Sequence, residues 1–387
     1  MRLAAVHDAE FAREDGVYYC NIIDYNMLKT FLRHFDKITV VGRSGKRLPE
    51  FVKIDLPGVE VHTVRAITRP IKFVFDFFKI YHNIKNIVQK SDVVYCRGMN
   101  GMLAQKAALK CGVPAITYVG GCIYESMKNN GSRYMRMLAR PAMLSMKQSI
   151  LKSDYVIYCC EYLKKKYRTM GNALSWSAII VKKADEQLLR MRQERIKRSK
   201  DEIIIGVIGH VHNKIKGMDT AVKALSSLDE KFTLRILGGG DRTALNEQIQ
   251  SLGFQNRVCF SGVLSDPDRV FMWLDDIDIY IQPSRTEGLP KATIEAMSRG
   301  CPVISSNAGG LPDLVKNEFL HNPEDFGEMA RLIQKLADDE ALMMEMSDYS
   351  LKKSEEFLLD IMNEKIDGLF KDVITQIKNL KKARDYD

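Results

Sequence analysis

Short apolar runs recur along the chain, each closed by glycine, proline or a polar pair and followed by a stretch with helical spacing. In the first half, residues 2–6, 37–41, 59–64, 93–96, 114–119 and 154–158 read as strands. In the second half the same holds for 203–208, 233–237, 258–260, 277–281 and 302–305. Between them, residues 27–35, 102–110, 161–168, 241–252 and 270–274 read as helices, and so does the segment through Leu225, with Asp219 or Thr220 as its cap. In 73–89, Ile80, Ile84, Ile87 and Val88 continue a helical stripe begun by Phe73 and Phe77. Buried strands alternating with helices predict an α/β class built on doubly wound parallel sheets.

The pattern loosens once. Residues 185–200 (DEQLLRMRQERIKRSK) are highly charged and read as a solvated helix plus linker. A chain of 387 residues is long for a single core. The expected organisation is therefore a first Rossmann-like domain over 1–200, a second over 201–350, and helices over 351–387 that cross back to the first.

Residues 282–315, QPSRTEGLPKATIEAMSRGCPVISSNAGGLPDLV, gather the candidate chemistry. The apolar run before them is stopped by Pro283 and Ser284, and 287–290 form a tight loop. A helix is expected from Pro290, since proline at a first helical position loses nothing by lacking an N–H. Arg299 and Gly300 end it as a basic last turn and a glycine stop should. Polar groups thus collect at the carboxyl end of a parallel strand, where open α/β sheets bind ligands. A free helix start attracts phosphate, while Glu287 and Glu295 would accept from hydroxyls. A nucleotide sugar carries both features. By spacing alone, two solvated glutamates on a helix flank fit equally well.

Two glutamates separated by seven residues, then Gly300-Cys301-Pro302 and Gly309-Gly310, resemble the donor-binding core of retaining GT-B glycosyltransferases, the GT4-type "glycosyl transferases group 1" family. That resemblance implies two Rossmann-like domains facing across a cleft, with the nucleotide diphosphate sugar held by the second. It implies that Glu287 binds donor-sugar hydroxyls and Glu295 the ribose diol, with backbone at Gly288, Leu289 and Pro290 facing sugar and phosphate. Lys216-Gly217 matches the family's lysine–glycine pair, whose cation would stabilise the departing diphosphate. Gly209 and Gly239 match glycine turns that admit the nucleotide near backbone. The family's arginine after the first glycine is replaced here by His210, so His210, Lys214 and Arg285 are candidates for a second cation. On the acceptor side the candidates are His7, Asp8 and Gly16, after the first strand. The first-domain histidine of many relatives is absent, since Thr117-Tyr118 is followed by Val119. The implied reaction is a retaining, metal-independent hexosyl transfer to a saccharide or lipid-linked intermediate of polysaccharide or glycoconjugate synthesis. A nucleotide-sugar epimerase of the same fold, and a catalytically idle nucleotide-sugar-binding subunit, are the alternatives.

Composition adjusts this picture at its edges. Net charge is +9, which admits phosphorylated ligands or an anionic membrane as partners. The basic residues concentrate in 128–168, interleaved with methionine and leucine, a mixture that suits a lipid surface or a helix covering a core. Nucleic acid is not expected, because stacking aromatics are sparse there. The 8 cysteines show no CxxC pair and no metal spacing, so reduced, buried thiols are expected. Asp276 and Asp278 have the DxD spacing of metal-dependent transferases but read as the polar lead-in to a strand, and no metal site is expected. No secretory signal is visible at the start and no run approaches a membrane span, so the expected location is cytoplasmic, with peripheral membrane contact at most.

Overall fold

The structure, a computed structural model, describes residues 1–48, 51–64, 73–129, 133–198, 201–264 and 266–386. Side chains of 73–77, including Phe73 and Phe77, lie outside the described part, as does Lys200 at the expected boundary. The chain falls into two compact units. One comprises Met1–Tyr124, Met137–Ala178 and Asp360–Asp387; the other comprises Glu125–Arg136 and Ile179–Leu359.

The first unit contains β1 (Arg2–Glu14), β2 (Val17–Cys20), β3 (Lys37–Ser44), β4 (Val52–Lys53), β5 (Val59–Val64), β6 (Val93–Arg97), β7 (Ala115–Val119), β8 (Tyr155–Tyr158) and β9 (Asn172–Ser175). Its parallel part runs β5-β3-β1-β6-β7-β8-β9. The order reverses between β1 and β6, which is the switch point of a doubly wound sheet. Leu3, Ala4, Ala5 and Val6 are wholly buried there, as expected of a central strand covered on both faces. Beyond the sheet β1 continues as an antiparallel hairpin with β2. Asp15 and Gly16 make its turn, both with positive φ (48° and 82°). Gly16, expected in the loop after the first strand, therefore sits at a hairpin tip. Asp-Gly is the signature of that two-residue turn, because its twist needs left-handed backbone at both positions.

The last helix, Leu359–Tyr386, packs on this unit. The Phe370 ring meets Phe31 and Phe35, each at 5.4 Å between centroids, and Asp367 pairs with Arg33 and His34. Trp176 donates from Nε1 to the Met362 carbonyl at 2.9 Å.

The second unit contains β10 (Ile203–Ile208), β11 (Phe232–Leu237), β12 (Val258–Gly262), β13 (Ile279–Gln282), β14 (Val303–Ser306) and β15 (Leu320–His321). All are parallel, in the order β12-β11-β10-β13-β14-β15, with the reversal between β10 and β13. Every residue of β13 and β14 is buried.

The charged stretch expected as a solvated linker is instead part of this unit. Its helix, Glu186–Lys197, buries Leu188, Arg192 and Ile196. These residues recur every four positions and so lie on one face. Arg192 is 3% exposed and donates to the carbonyls of Ile277 (2.5 Å), Arg299 (2.9 Å) and Leu274 (3.0 Å). The arginine fork suits this place because its several N–H groups reach carbonyls at two helix ends and a strand start at once.

Candidate active site

Two loops meet at the switch point of the second unit. The loop after β10 ends in the short 3₁₀ turn Lys214–Lys216, and the loop after β13 leads to the helix Lys291–Ser298. Lys216 Nζ lies 2.7 Å from Glu287 Oε1. The glutamate side chain is 9% exposed and the lysine 27%, so the pair is shielded on one side and open on the other. Pro290 is the N-cap, so the helix starts one position later than expected, and among the described residues no side chain caps its start. Its first N–H groups and the lysine ammonium together make an electropositive end to a parallel strand.

A buried polar chain holds Glu287 in place. Tyr280 donates to Gln282 Oε1 (2.8 Å), Gln282 Nε2 donates to Ser284 Oγ (2.8 Å), and Ser284 Oγ donates to Glu287 Oε1 (2.7 Å). Thr293 of the following helix also donates to Gln282 Oε1, at 3.3 Å. Tyr280, Gln282, Ser284 and Thr293 are all within 1% of complete burial. Such groups are costly unless paired, so this chain fixes the carboxylate's direction at the same time as it satisfies itself. The sequence reading missed all four. Polar residues at 280, 282 and 284, every second position of an otherwise apolar run, were the available signal, since that period puts them on one face.

Two glycines bring the loops together. A Cβ at Gly217, where φ is 70°, would stand 2.0 Å from the Pro283 carbonyl oxygen. A Cβ at Gly309, where φ is 58°, would stand 1.9 Å from that of Glu287. Both positions demand left-handed backbone and leave no room for a side chain.

Residues 190–353 match the family described as glycosyl transferases group 1. The match spans less than half of the chain. Along most of the chain, the Staphylococcus aureus protein CapJ is 27% identical over 349 residues, covering 87% of this chain and 86% of the relative. The Escherichia coli UDP-Gal:α-D-GlcNAc-diphosphoundecaprenol α-1,3-galactosyltransferase is 22% identical, covering 84% and 86%. The crystal structure of Anabaena HepE in complex with UDP-glucose superposes with a TM-score of 0.68 at 16% identity, over 96% of this chain and 100% of that one. The two parallel-sheet units are those of the GT-B glycosyltransferase fold.

Within the matched segment the remaining candidates differ in how they are engaged. Glu295 is 12% exposed and pairs with Lys291 one turn earlier at 2.7 Å. Gly310 donates to the Gly288 carbonyl at 3.0 Å, which fixes the loop holding Gly288 and Leu289. Gly209 lies against Lys216, with a hypothetical Cβ 3.1 Å from Lys216 Cγ, and Gly239 accepts from the Val211 amide at 2.9 Å. His210 and His212 are exposed, their rings 5.8 Å apart. Lys214 is exposed, and among the described residues its ammonium has no ion-pair partner.

Arg285 requires a correction. The sequence offered it as a second cation for the diphosphate, but its charge is already spent. It grips Asp219 with both terminal nitrogens (2.9 and 2.8 Å), donates from Nε to Glu324 (2.5 Å), and also bonds the Lys214 carbonyl. The bonds to Asp219 raise its pKa further above the usual arginine value. Burial pushes Asp219 up, but the bonds and charge of Arg285 outweigh it and leave the carboxylate below its usual range. A planar fork facing a carboxylate is arginine's preferred geometry, so Arg285 braces the two loops.

Of the acceptor-side candidates, His7 and Asp8 lie at the switch point of the first unit, while Gly16 stands apart at the hairpin tip. His7 is wholly buried, and among the described residues neither ring nitrogen has a hydrogen-bond partner. Desolvation lowers its pKa to about 4. Asp8 accepts from the amides of Met99 (2.5 Å) and Asn100 (3.0 Å), at the start of the helix Gly98–Cys111. Beside them Arg97 pairs with the buried Asp24 at 3.2 Å and lies over the Tyr118 ring. Asp278, of the DxD spacing, is 2% exposed, pairs with Arg195 at 2.8 Å and accepts from the Ile204 amide. It stands just before β13 starts, at the opposite end of the strand from Glu287.

Proposed function

We propose that this chain is a retaining glycosyltransferase. It moves a hexosyl group, without a bound metal, from a nucleotide diphosphate sugar to a lipid-linked saccharide of polysaccharide or glycoconjugate synthesis, at the cytoplasmic face of a membrane. The observation that carries this reading is the Lys216–Glu287 pair beside an uncapped helix start, at the switch point of the second unit. In the free site the two charges answer each other. An incoming diphosphate offers the ammonium a stronger partner and leaves the carboxylate to accept from sugar hydroxyls.

The roles follow from this. Lys216 stabilises the charge that grows on the diphosphate as the bond from its oxygen to the anomeric carbon breaks. Glu287 orients the sugar, and Glu295, once turned from Lys291, accepts from the ribose diol. Backbone at Gly288, Leu289 and Pro290 faces the sugar and phosphates, while Gly209 and Gly239 let the nucleotide approach backbone. His210 and Lys214 supply further donors to the diphosphate. The acceptor oxygen bonds to the anomeric carbon on the face the phosphate leaves, and its proton passes to the departing phosphate oxygen. Configuration is thereby retained without a protein base. The names of the E. coli relative and of the HepE complex make UDP-hexoses the first donors to test, and a diphosphate lipid the first acceptor.

The test is a panel of nucleotide sugars incubated with the protein in chelator, with and without diphosphate-lipid saccharides. Release of nucleoside diphosphate that rises with the lipid acceptor is expected, with the new linkage of the donor's anomeric configuration by proton NMR. Epimerised donor with no release would replace this reading with the epimerase, and nucleotide binding without turnover would replace it with an idle binding subunit.

A further inference from the structure

Among the described residues no helix is long and apolar enough to cross a membrane. One helix nevertheless presents an unusual surface. Arg133–Leu151 lies in a stretch, 126–153, with no carboxylate and with Lys128, Arg133, Arg136, Arg140, Lys147 and Lys152 as its cations. Arg133, Met137, Arg140, Leu144, Lys147 and Leu151 follow one another by four and three positions alternately. At 100° per residue they fall within an arc of about 80°. Cations and apolar side chains thus alternate along a single stripe, each type repeating every seven residues.

That stripe faces outward. Met137 is 71% exposed, Leu144 57% and Leu151 49%, and the three cations are exposed as well. Tyr134 (78%) and Leu138 (55%) widen its N-terminal end. The helix packs instead through Ala139, Ser149 and Ile150 on the other side. Among the described residues, Arg133, Arg140 and Lys147 have no ion-pair partner.

From this we infer that the stripe seats the protein on an anionic lipid surface, with the helix lying in the plane of the headgroups. Its side chains suit that partner on both counts. Methionine, leucine and tyrosine enter the acyl boundary, while arginine and lysine extend their stems along it and keep their charge at the phosphates. A coiled-coil partner would want apolar side chains at both core positions of each heptad, and here a cation takes one of them. The inference deepens the proposed function by assigning the surface that meets the acceptor's membrane. It rests on that reading for its purpose only, because binding to lipid is measured without any donor.

Sedimentation of the full chain with vesicles tests it. Phosphatidylcholine vesicles containing phosphatidylglycerol should bind the protein at low salt and release it as salt rises, and pure phosphatidylcholine should not bind it. Reversing three stripe cations, Arg133→Glu, Arg140→Glu and Lys147→Glu, should weaken partition about a hundredfold or more, given roughly fivefold per cation. The double change Met137→Ser and Leu144→Ser should weaken it too, with less effect on the salt dependence. The same charge reversal at exposed lysines elsewhere, Lys29→Glu, Lys223→Glu and Lys352→Glu, should leave most of the binding, which separates the stripe from net charge.

Equal binding to both vesicle types, or an equal loss in the control variant, overturns the inference. So does a dimer in light scattering that Met137→Ser and Leu144→Ser dissolves while vesicles bind nothing; the stripe is then a contact between copies. UDP binding by calorimetry should be the same in every variant. If UDP fails to bind even the unaltered protein, the proposed donor fails, and the vesicle result still decides the stripe.

Discussion

Each unit ends its central strands at a switch point, and the two are furnished in opposite ways. At β1 and β6 the polar groups consume one another. Asp8 takes the first amides of the helix Gly98–Cys111, Asp24 takes Arg97, and His7 is sealed below. At β10 and β13 the helix Lys291–Ser298 has, among the described residues, no side-chain cap, and a buried chain holds the carboxylate that faces the ammonium. Six parallel strands follow the same order in both sheets, with β9 added in the first, so topology does not decide which unit can take an anion. The difference lies in one carboxylate: Asp8 already fills the position that a ligand phosphate would want. Charge at a helix start stabilises the fold when it belongs to the chain and binds a ligand when it does not.

The sharpest way to break this comparison is to disarm the open switch point. Lys216→Ala and Glu287→Ala should each lower turnover about 10²- to 10³-fold, the usual cost of removing a preorganised charge or contact at the reacting bond. Nucleoside diphosphate alone should bind Glu287→Ala normally but Glu295→Ala and Lys216→Ala poorly, with about 1.5–3 kcal/mol lost for a charged hydrogen bond. Calorimetry on variants checked for folding measures this, and equal losses in the two glutamate variants would end the division of labour between them.

Next in size is the sealed switch point under acid. His7 titrates near 4 when folded and near its ordinary value when unfolded. The unfolded chain therefore binds the extra proton first as pH falls. Stability should hold above pH ~6.5 and decline between there and about 4, by roughly 3 kcal/mol in all. His7→Phe should remove that share of the decline in urea titrations across the window. An unchanged acid slope would mean that the imidazole is solvated.

The smallest effect is expected of Asp8→Ala. It should cost the first unit about 1 kcal/mol through loss of a helix cap, and leave nucleotide binding in the second unit as it was. A shift in nucleotide affinity as large as that of Lys216→Ala would show that the two switch points are not independent.

The central strands of both parallel sheets were legible in the sequence because buried strands leave continuous apolar runs bounded by glycine and proline; the short edge strands β9 and β15, with little or no such run, were not. The resemblance pointed to Lys216 and Glu287 one by one, for phosphate and for sugar, but their direct pairing at 2.7 Å emerged only from the fold. What stayed hidden was arginine used as a fastener. Arg192 and Arg285 look like solvated or ligand-binding charges in one dimension. Only packing shows that carbonyls and Asp219 have already claimed them. The hairpin at Asp15-Gly16 was legible and overlooked, its signature masked by a strand that runs on beyond its sheet.

The fastening of Arg192 has a consequence for proteolysis. Residues 186–197 carry Arg190, Arg192, Arg195 and Lys197, a dense run of trypsin targets. A solvated linker with this sequence would be nicked at once. Here the run is helical, and its middle arginine is fastened to three carbonyls of the second unit. Cleavage must wait until those bonds open, so when closing is faster than cutting its rate follows the population of the opened unit. The stretch that looks most like a loose connection serves as a gauge of how firmly the second unit is folded, and bound nucleotide should slow its digestion.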